Sequence, residues 1–378
     1  MLKKVVLCML IGTLLMGSCL AVPEVPAPSC LLMDQATGTV LYEKNADEPL
    51  APASVTKVMT LLLVMEAVER GQLGWDDTIT ASAAAAAKGG SQVYLEEGEQ
   101  MSLREMVKCV VVSSANDCAT ALAEAVAGSE SGFVEKMNQR AKELGMEHTH
   151  FANCTGLDDE AGPDEHYTTA RDIAIMSRAL LRHEKIREFT TIWMDTIRDG
   201  AFGLSNTNKL VRFYQGTTGL KTGYTSSAGY CMSASAERDG MELIATVMHC
   251  ESSTDRFESA KALLDYGFAA YTLVDPMGEE QTQPVTVELG TSETVQPVPG
   301  QSEPVLLEKE QAAGVTREIQ LTERVSAPVE QGQVLGSVTL KSGDTVLAEV
   351  PLVAECGVEK LSWGQIFKRT VGMLWMAE

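Results

Sequence analysis

At 378 residues, 45% of them hydrophobic, the chain has apolar material for two cores, which excludes a disordered or fibrous protein. A formal charge of −22 excludes nucleic-acid binding through bulk charge. Nine cysteines, seven of them beyond Ala21, show spacings that suit neither a zinc site nor a compact disulfide framework, so most read as buried thiols.

The chain opens with MLKKVVLCMLIGTLLMGSCLA: two lysines, an apolar run, and small residues before a cut after Ala21. It reads as a secretory signal over residues 1–21; the rivals are an uncleaved anchor and lipidation at Cys19, whose preceding residues only loosely resemble a lipobox. After a Pro-rich link, SCLLMDQATGTVLYEKN predicts two strands around the turn residues Ala36 to Gly38. The next stretch, PASVTKVMTLLLVMEAVERG (residues 52–71), is apolar almost all the way round with no breaker before Gly71, as expected of a helix buried in a domain centre.

Residues 72–190 predict mainly helix, with the Ser114 segment inside one helical stretch and residues 151–166 as a surface loop. Strand pattern returns from about Asn208, and GYCMSASAERDGMELIATVMHC predicts two strands around Arg238-Asp239-Gly240 before the helix DRFESAKALLDYGFAAY. Strands therefore lie at both ends of this first domain with a helical part inserted, an α/β arrangement whose cleft forms where sheet meets insertion. From Asp275 to Ala354, short Val- and Thr-rich runs broken by Gly and Pro predict a small all-β sandwich without chemistry of its own. The tail KLSWGQIFKRTVGMLWM (residues 360–376) predicts an amphipathic helix with Trp363, Ile366, Phe367, Thr370, Val371 and Leu374 on one stripe. Such a helix suits lying in a membrane surface; the plainer reading packs it on the sandwich.

A buried helix does not normally begin with an amine, yet Lys57 follows Ser54 by three residues, one turn away on the same face. Taken alone, this is a Ser N-cap with a snorkelling lysine. Two further pieces change the reading: Ser114-Ala115-Asn116, the sole serine-x-asparagine in the chain, and Lys221-Thr222-Gly223 within TTGLKTGYTSSAGYC. S-x-x-K, a serine-x-asparagine and K-T-G, in that order and at domain-scale separations, form the signature of penicillin-binding proteins and class A β-lactamases. Lys341-Ser342-Gly343 also fits the third pattern but sits in the β domain, where a hairpin turn explains it.

The residue types fit acyl transfer, which needs a deprotonated hydroxyl, an oxyanion hole and a proton donor for the leaving amine. Lys57 is the candidate base if burial and Lys221 favour its neutral form. Ser114 is the candidate proton donor, and Asn116 the group that holds Lys57 and the substrate amide. Thr222 offers a hydroxyl to a substrate carboxylate, Gly223 lets a ligand backbone approach the strand, and the backbone N–H groups of Ser54 and Tyr224 are candidate oxyanion donors. No metal or cofactor is expected, since the five histidines form no H-E-x-x-H or similar set.

From Ser29 to about Tyr271 the sequence resembles the low-molecular-mass serine-type D-alanyl-D-alanine carboxypeptidases. Beyond the three motifs, the likeness is carried by YEKNADEPLAPASVTKVMT, GGSQVYLEEGE, NCTGLDDEAGPDEHYTTARD, NTNKL and LKTGYTSSAGYC. The resemblance implies a β-lactamase/penicillin-binding fold over residues 29–272 followed by a β domain (275–356) and an amphipathic tail. It also implies a serine acyl-enzyme, peptidoglycan pentapeptide stems as substrate, β-lactams as acylating ligands, and Arg256 as a contributor to binding the substrate carboxylate. Two departures stand out: Tyr224 where some relatives carry histidine, and Ala115 where glycine or aspartate is usual. The β-lactamase reading lacks an E-x-x-x-N motif in residues 151–171. A β-lactam sensor or scaffold without turnover remains as the binding-module reading.

Overall fold

A computed structural model of the chain describes residues 22–159 and 164–375; the expected signal segment and Cys19 lie outside the described residues. The organising sheet is five-stranded, built from β1 (Ser29–Asp34) and β2 (Val40–Lys44) at one end of the sequence and β7 (Thr217–Thr225), β8 (Gly229–Arg238) and β9 (Met241–Cys250) at the other. Its order is β2-β1-β9-β8-β7, antiparallel throughout, so among the described residues β7 has one edge without a strand partner. Side chains alternate across this sheet: Leu31 and Met33 of β1 join the helical core on one face, Cys30 and Leu32 the core under α9 (Ser253–Ala270) on the other.

Between β2 and β7 comes the insertion. Its main helices are α1 (Lys57–Glu69), then, past β3 (Thr78–Thr80), the one-turn α2 (Ala83–Ala86) and β4 (Gln100–Ser102), α3 (Leu103–Val112), α4 (Asn116–Ala127), α5 (Glu130–Glu143) and α6 (Ala170–Leu181). A short α7 (Arg187–Thr190), the hairpin β5 (Met194–Ile197) and β6 (Phe202–Ser205), and α8 (Leu210–Phe213) complete it. In α1 every residue from Lys57 to Met65 is buried, because α4, α5 and α6 pack round it. With a Leu or Met side chain contributing about 1.5–3 kcal/mol on full burial, this helix anchors the lobe.

Two sequence expectations are corrected here. The surface loop expected over residues 151–166 is corrected in part: Phe151, Asn153, Cys154, Thr155, Gly156 and His166 are buried, whereas Asp159, Asp164 and Glu165 are exposed. The segment is held by polar groups that periodicity does not register, with Thr60 Oγ1 donating to the Cys154 carbonyl at 2.7 Å and Asn153 Oδ1 accepting from the Gly156 N–H at 2.6 Å. Ser114 does not lie inside a helix: α3 ends at Val112 and α4 begins at Asn116. The left-handed residue at that junction is Ser114 (φ 61°), whereas Ala115 keeps φ −58°, so alanine fits there without strain.

Beyond β10 (Tyr271–Val274), the C-terminal region holds a three-stranded sheet of β11 (Val285–Glu288), β12 (Thr294–Val295) and β16 (Arg324–Ser326), and a four-stranded sheet of β13 (Pro297–Pro299), β15 (Val315–Leu321), β17 (Val334–Ser342) and β18 (Thr345–Ala354). Val285, Val287 and Val295 from one sheet share a core with Leu335 and Ala354 from the other, which makes a sandwich. The decoy Lys341-Ser342-Gly343 forms the β17–β18 turn, with Gly343 left-handed and Lys341 paired to Glu318. Residues Trp363–Trp375 form a helix that leaves Trp363, Phe367 and Val371, four residues apart, exposed. Among the described residues no helix is long and apolar enough to cross a membrane.

Gly156 (φ 84°) packs so closely against the turn before α1 that a Cβ there would lie 1.8 Å from the Ala53 carbonyl oxygen. Gly156→Ala is therefore expected to destabilise the protein by about 1–3 kcal/mol or more, read as a lowered urea midpoint at unchanged slope. A wild-type midpoint would refute the close approach.

Candidate active site

The turn that carries Ser54 is a single 3₁₀ turn, Ala53–Thr56, that feeds directly into α1. Ala53 adopts φ 49° although it carries a Cβ, and Ser54, partly exposed, follows it. Lys57 Nζ, wholly buried, donates to Ser54 Oγ at 2.9 Å and to the Thr155 carbonyl at 2.7 Å. The carbonyl comes from the loop that sequence reading left on the surface.

Ser114 and Asn116 stand at the α3–α4 junction with buried polar atoms, Ser114 Oγ and Asn116 Oδ1, that have no hydrogen-bond partner among the described residues. The remaining polar groups of this corner hold the neighbouring segment in place. Asn116 Nδ2 donates to the Gly89 carbonyl at 2.7 Å, and the buried Asp117 carboxylate accepts from the N–H groups of Val93 (3.1 Å) and Leu95 (3.0 Å). A hydroxyl and an amide oxygen left without partners two residues apart are costly in a protein interior, and they suit a site that completes its hydrogen bonds on a ligand.

Strand β7 passes against the Ser54 turn: a Cβ on Gly223 would lie 2.8 Å from the Pro52 carbonyl oxygen and 3.0 Å from the Ser54 nitrogen. A side chain at this position would push the strand off the turn. Lys221 is buried and donates to the Thr222 carbonyl at 2.9 Å; burial first, then the charges of Lys57 and Arg256, push its ammonium well below the usual lysine range. Two ammonium charges are therefore poorly tolerated here, which favours an amine able to accept a proton. Thr222 Oγ1 donates to Thr207 Oγ1 at 2.7 Å, and Thr207 in turn donates its N–H to the Val112 carbonyl at the end of α3.

Tyr224 is 56% exposed and packs on Tyr230 with ring centroids 4.3 Å apart and planes tilted by 34°. Arg256 lies buried behind the strand, its guanidinium over the Tyr230 ring and NH1 donating to the Gly223 carbonyl at 3.1 Å. In this arrangement it braces the backbone of the K-T-G strand.

Ser54 and Lys57 are joined by a hydrogen bond, Gly223 of β7 packs on the Ser54 nitrogen, and Thr222 is linked through Thr207 to Val112 at the end of α3, two residues before Ser114. Sequence reading missed Thr155, Thr207, Asp117 and the buried His166. His166 Nδ1 accepts from the Ala152 N–H at 3.1 Å and its Nε2 lies 2.8 Å from Thr56 Oγ1. Burial first, then the neighbouring charges of His150 and Lys57 against that of Asp158, push its pKa down to about 4. The signals available were the NTNKL and NCTGLDDEAGPDEHYTTARD stretches that carried the resemblance, which name no roles by themselves.

A family model described as D-alanyl-D-alanine carboxypeptidase matches residues 17–252, and one described as the penicillin-binding protein 5 C-terminal domain matches residues 275–360. The chain is 41% identical over 351 residues to D-alanyl-D-alanine carboxypeptidase DacF of Bacillus subtilis, covering 92% of this chain and 89% of that protein. It is 33% identical over 347 residues to DacC of Escherichia coli, covering 89% and 86%. Among solved structures it is similar to a peptidoglycan synthesis regulatory factor (PBP3) from Streptococcus pneumoniae, with a TM-score of 0.72, 28% identity, and coverage of 89% of this chain and 100% of that one. It is also similar to penicillin-binding protein D2 from Listeria monocytogenes in its ampicillin-bound form, with a TM-score of 0.59, 33% identity, and coverage of 65% and 100%.

Because the folded His166 titrates below its ordinary value of 6.5, its contribution to stability is fully present above that pH and is lost as the pH falls toward 4. The difference in unfolding free energy between wild type and His166→Gln is expected to shrink by on the order of 3 kcal/mol over that window. A pH-independent difference in parallel urea titrations would contradict the buried neutral ring.

Proposed function

The chain belongs to the D-alanyl-D-alanine carboxypeptidase family, and from that premise we propose that its chemistry runs through an acyl-enzyme on Ser54. The protein is a serine-type carboxypeptidase that removes the terminal D-alanine from cell-wall peptides, and it binds β-lactams. The observation that carries the residue assignment is the 2.9 Å contact between the buried Lys57 amine and Ser54 Oγ.

Neutral Lys57 takes the Ser54 proton as Oγ attacks the carbonyl of the penultimate D-alanine, and the N–H groups of Ser54 and Tyr224 hold the resulting oxyanion. The peptide C–N bond then breaks, with Ser114 passing a proton to the leaving D-alanine nitrogen and Lys57 resupplying Ser114. Water attacks the acyl-enzyme, gives a proton to the amine and releases the shortened peptide, restoring the Ser54 hydroxyl. Asn116 Oδ1 accepts from the substrate amide, and Lys221 and Thr222 bind the terminal carboxylate. Gly223 admits the peptide backbone to β7. Arg256 supports carboxylate binding through the Gly223 peptide unit it braces. A β-lactam enters at the same step, its ring carbonyl acylating Ser54.

The catalytic unit spans residues 29–272, the β domain 275–356 and the tail helix 360–376, with residues 1–21 a cleaved export signal. Peripheral attachment to the outer face of the cytoplasmic membrane follows from the exposed Trp363, Phe367 and Val371 and from Lys368 on a helix of an otherwise acidic chain.

Protein lacking residues 1–21 and 360–378 is expected to release D-alanine from a peptide ending in D-Ala-D-Ala and to be labelled by penicillin, with both lost in Ser54→Ala. Labelling without release would favour the sensor, and rapid penicillin turnover the β-lactamase. For the tail, protein with residues 360–378 should sediment with anionic liposomes and protein without them should stay in the supernatant; equal sedimentation would remove the anchor.

A further inference from the structure

His166 and Thr56 are buried beside the nucleophile yet take no part in the proton transfers described above. The imidazole can hold one tautomer only: Nδ1 accepts the Ala152 N–H, so Nε2 carries the proton and donates it to Thr56 Oγ1. Thr56 Oγ1 then donates its own proton to the Ala53 carbonyl at 2.8 Å. Ala53 is the left-handed residue immediately before Ser54, a conformation that persists in a residue with a Cβ only when its surroundings hold it there.

We propose that His166 is a positioning residue for acylation: through the Thr56 hydroxyl it fixes the Ala53 carbonyl, and with it the turn from which Ser54 Oγ and the Ser54 N–H project. The proposal rests on the reading of Ser54 as nucleophile. The same ring also ties down Ala152, at the start of the loop whose Thr155 carbonyl holds Lys57 Nζ. One neutral side chain thus references both the attacking hydroxyl and its base to a common frame. Without the Nε2 donor the Thr56 hydroxyl is free to rotate away from Ala53, and the strained turn loses one of its restraints. Gly156 and Gly223, which close on Pro52, Ala53 and Ser54 from two other segments, supply steric restraint but no hydrogen bond to this carbonyl that would replace it. The low pKa of His166 agrees with a ring that stays neutral throughout the working range.

The test compares Thr56→Val, which keeps the shape and deletes the hydroxyl, with Thr56→Ser, which keeps the hydroxyl and deletes the methyl. Readouts are the second-order rate of penicillin acylation and, for D-alanine release, kcat and KM separately. Thr56→Val is expected to lose about 10- to 100-fold in acylation rate and kcat with KM changed less than about twofold, while Thr56→Ser stays within about threefold of wild type. Wild-type acylation by Thr56→Val, or an equal loss in Thr56→Ser, would overturn the relay. Should Thr56→Val fail to fold, the decision passes to His166→Gln, whose amide can still donate to Thr56, against His166→Phe, which cannot. Faster acylation by the glutamine variant supports the proposal, and equal rates overturn it. Retained penicillin labelling in Ser54→Ala would instead sink the nucleophile assignment, so the two failures are distinguishable.

Discussion

Two lysine side chains share one buried corner, and most of the surrounding structure answers to that fact. An ammonium taken out of water is expensive, and a second one nearby raises the cost of keeping both charged. The fold meets this with a helix packed on every side, carbonyls from Thr155 and Thr222 aimed at the amines, and a sheet strand laid across the entrance. Only a well-packed lobe holds such groups in place, which accounts for an unbroken apolar run behind Lys57. The result is a buried amine hydrogen-bonded to a hydroxyl, with a second buried amine whose ammonium form is disfavoured by burial and by the charge of the first.

Much of this was legible from the sequence because it depends on local rules. The apolar run after Ser54 announced the buried helix, and the alternation in β8 and β9 announced strands around Arg238-Asp239-Gly240. The three motifs named the side chains proposed to react. Residues 151–156 and His166 do not read as buried in the sequence because their burial is secured by Asn153, Thr60 and His166, polar groups that form no periodic stripe. Pattern analysis equates polarity and glycine with exposure, and here the hydrogen bonds satisfied inside the protein reverse that equation. The Ser114 junction was misplaced for a related reason: Val110 to Val112 and the alanines after Asn116 are equally good helix interior, and nothing in their composition marks a break made by one left-handed residue.

Arg256 shows a further limit. The family resemblance implies a guanidinium that contributes to binding the substrate carboxylate, and in the fold that guanidinium donates to the Gly223 and Cys231 carbonyls and to Ser253 Oγ. Composition cannot say which side of a strand an arginine approaches. The β domain was easier, because valine alternation and turn residues specify sheet without long-range information, and the Lys341-Ser342-Gly343 decoy resolved into a hairpin as its turn chemistry implied.

The unpaired margin of β7 has a consequence for selectivity. A stem lying along that margin would be recognised through amide groups common to every residue, so its side chains further from the scissile bond gain little individual scrutiny unless they meet the Tyr224 ring. Discrimination would then concentrate at the last two positions, and wall precursors that differ in their third residue would compete on nearly equal terms.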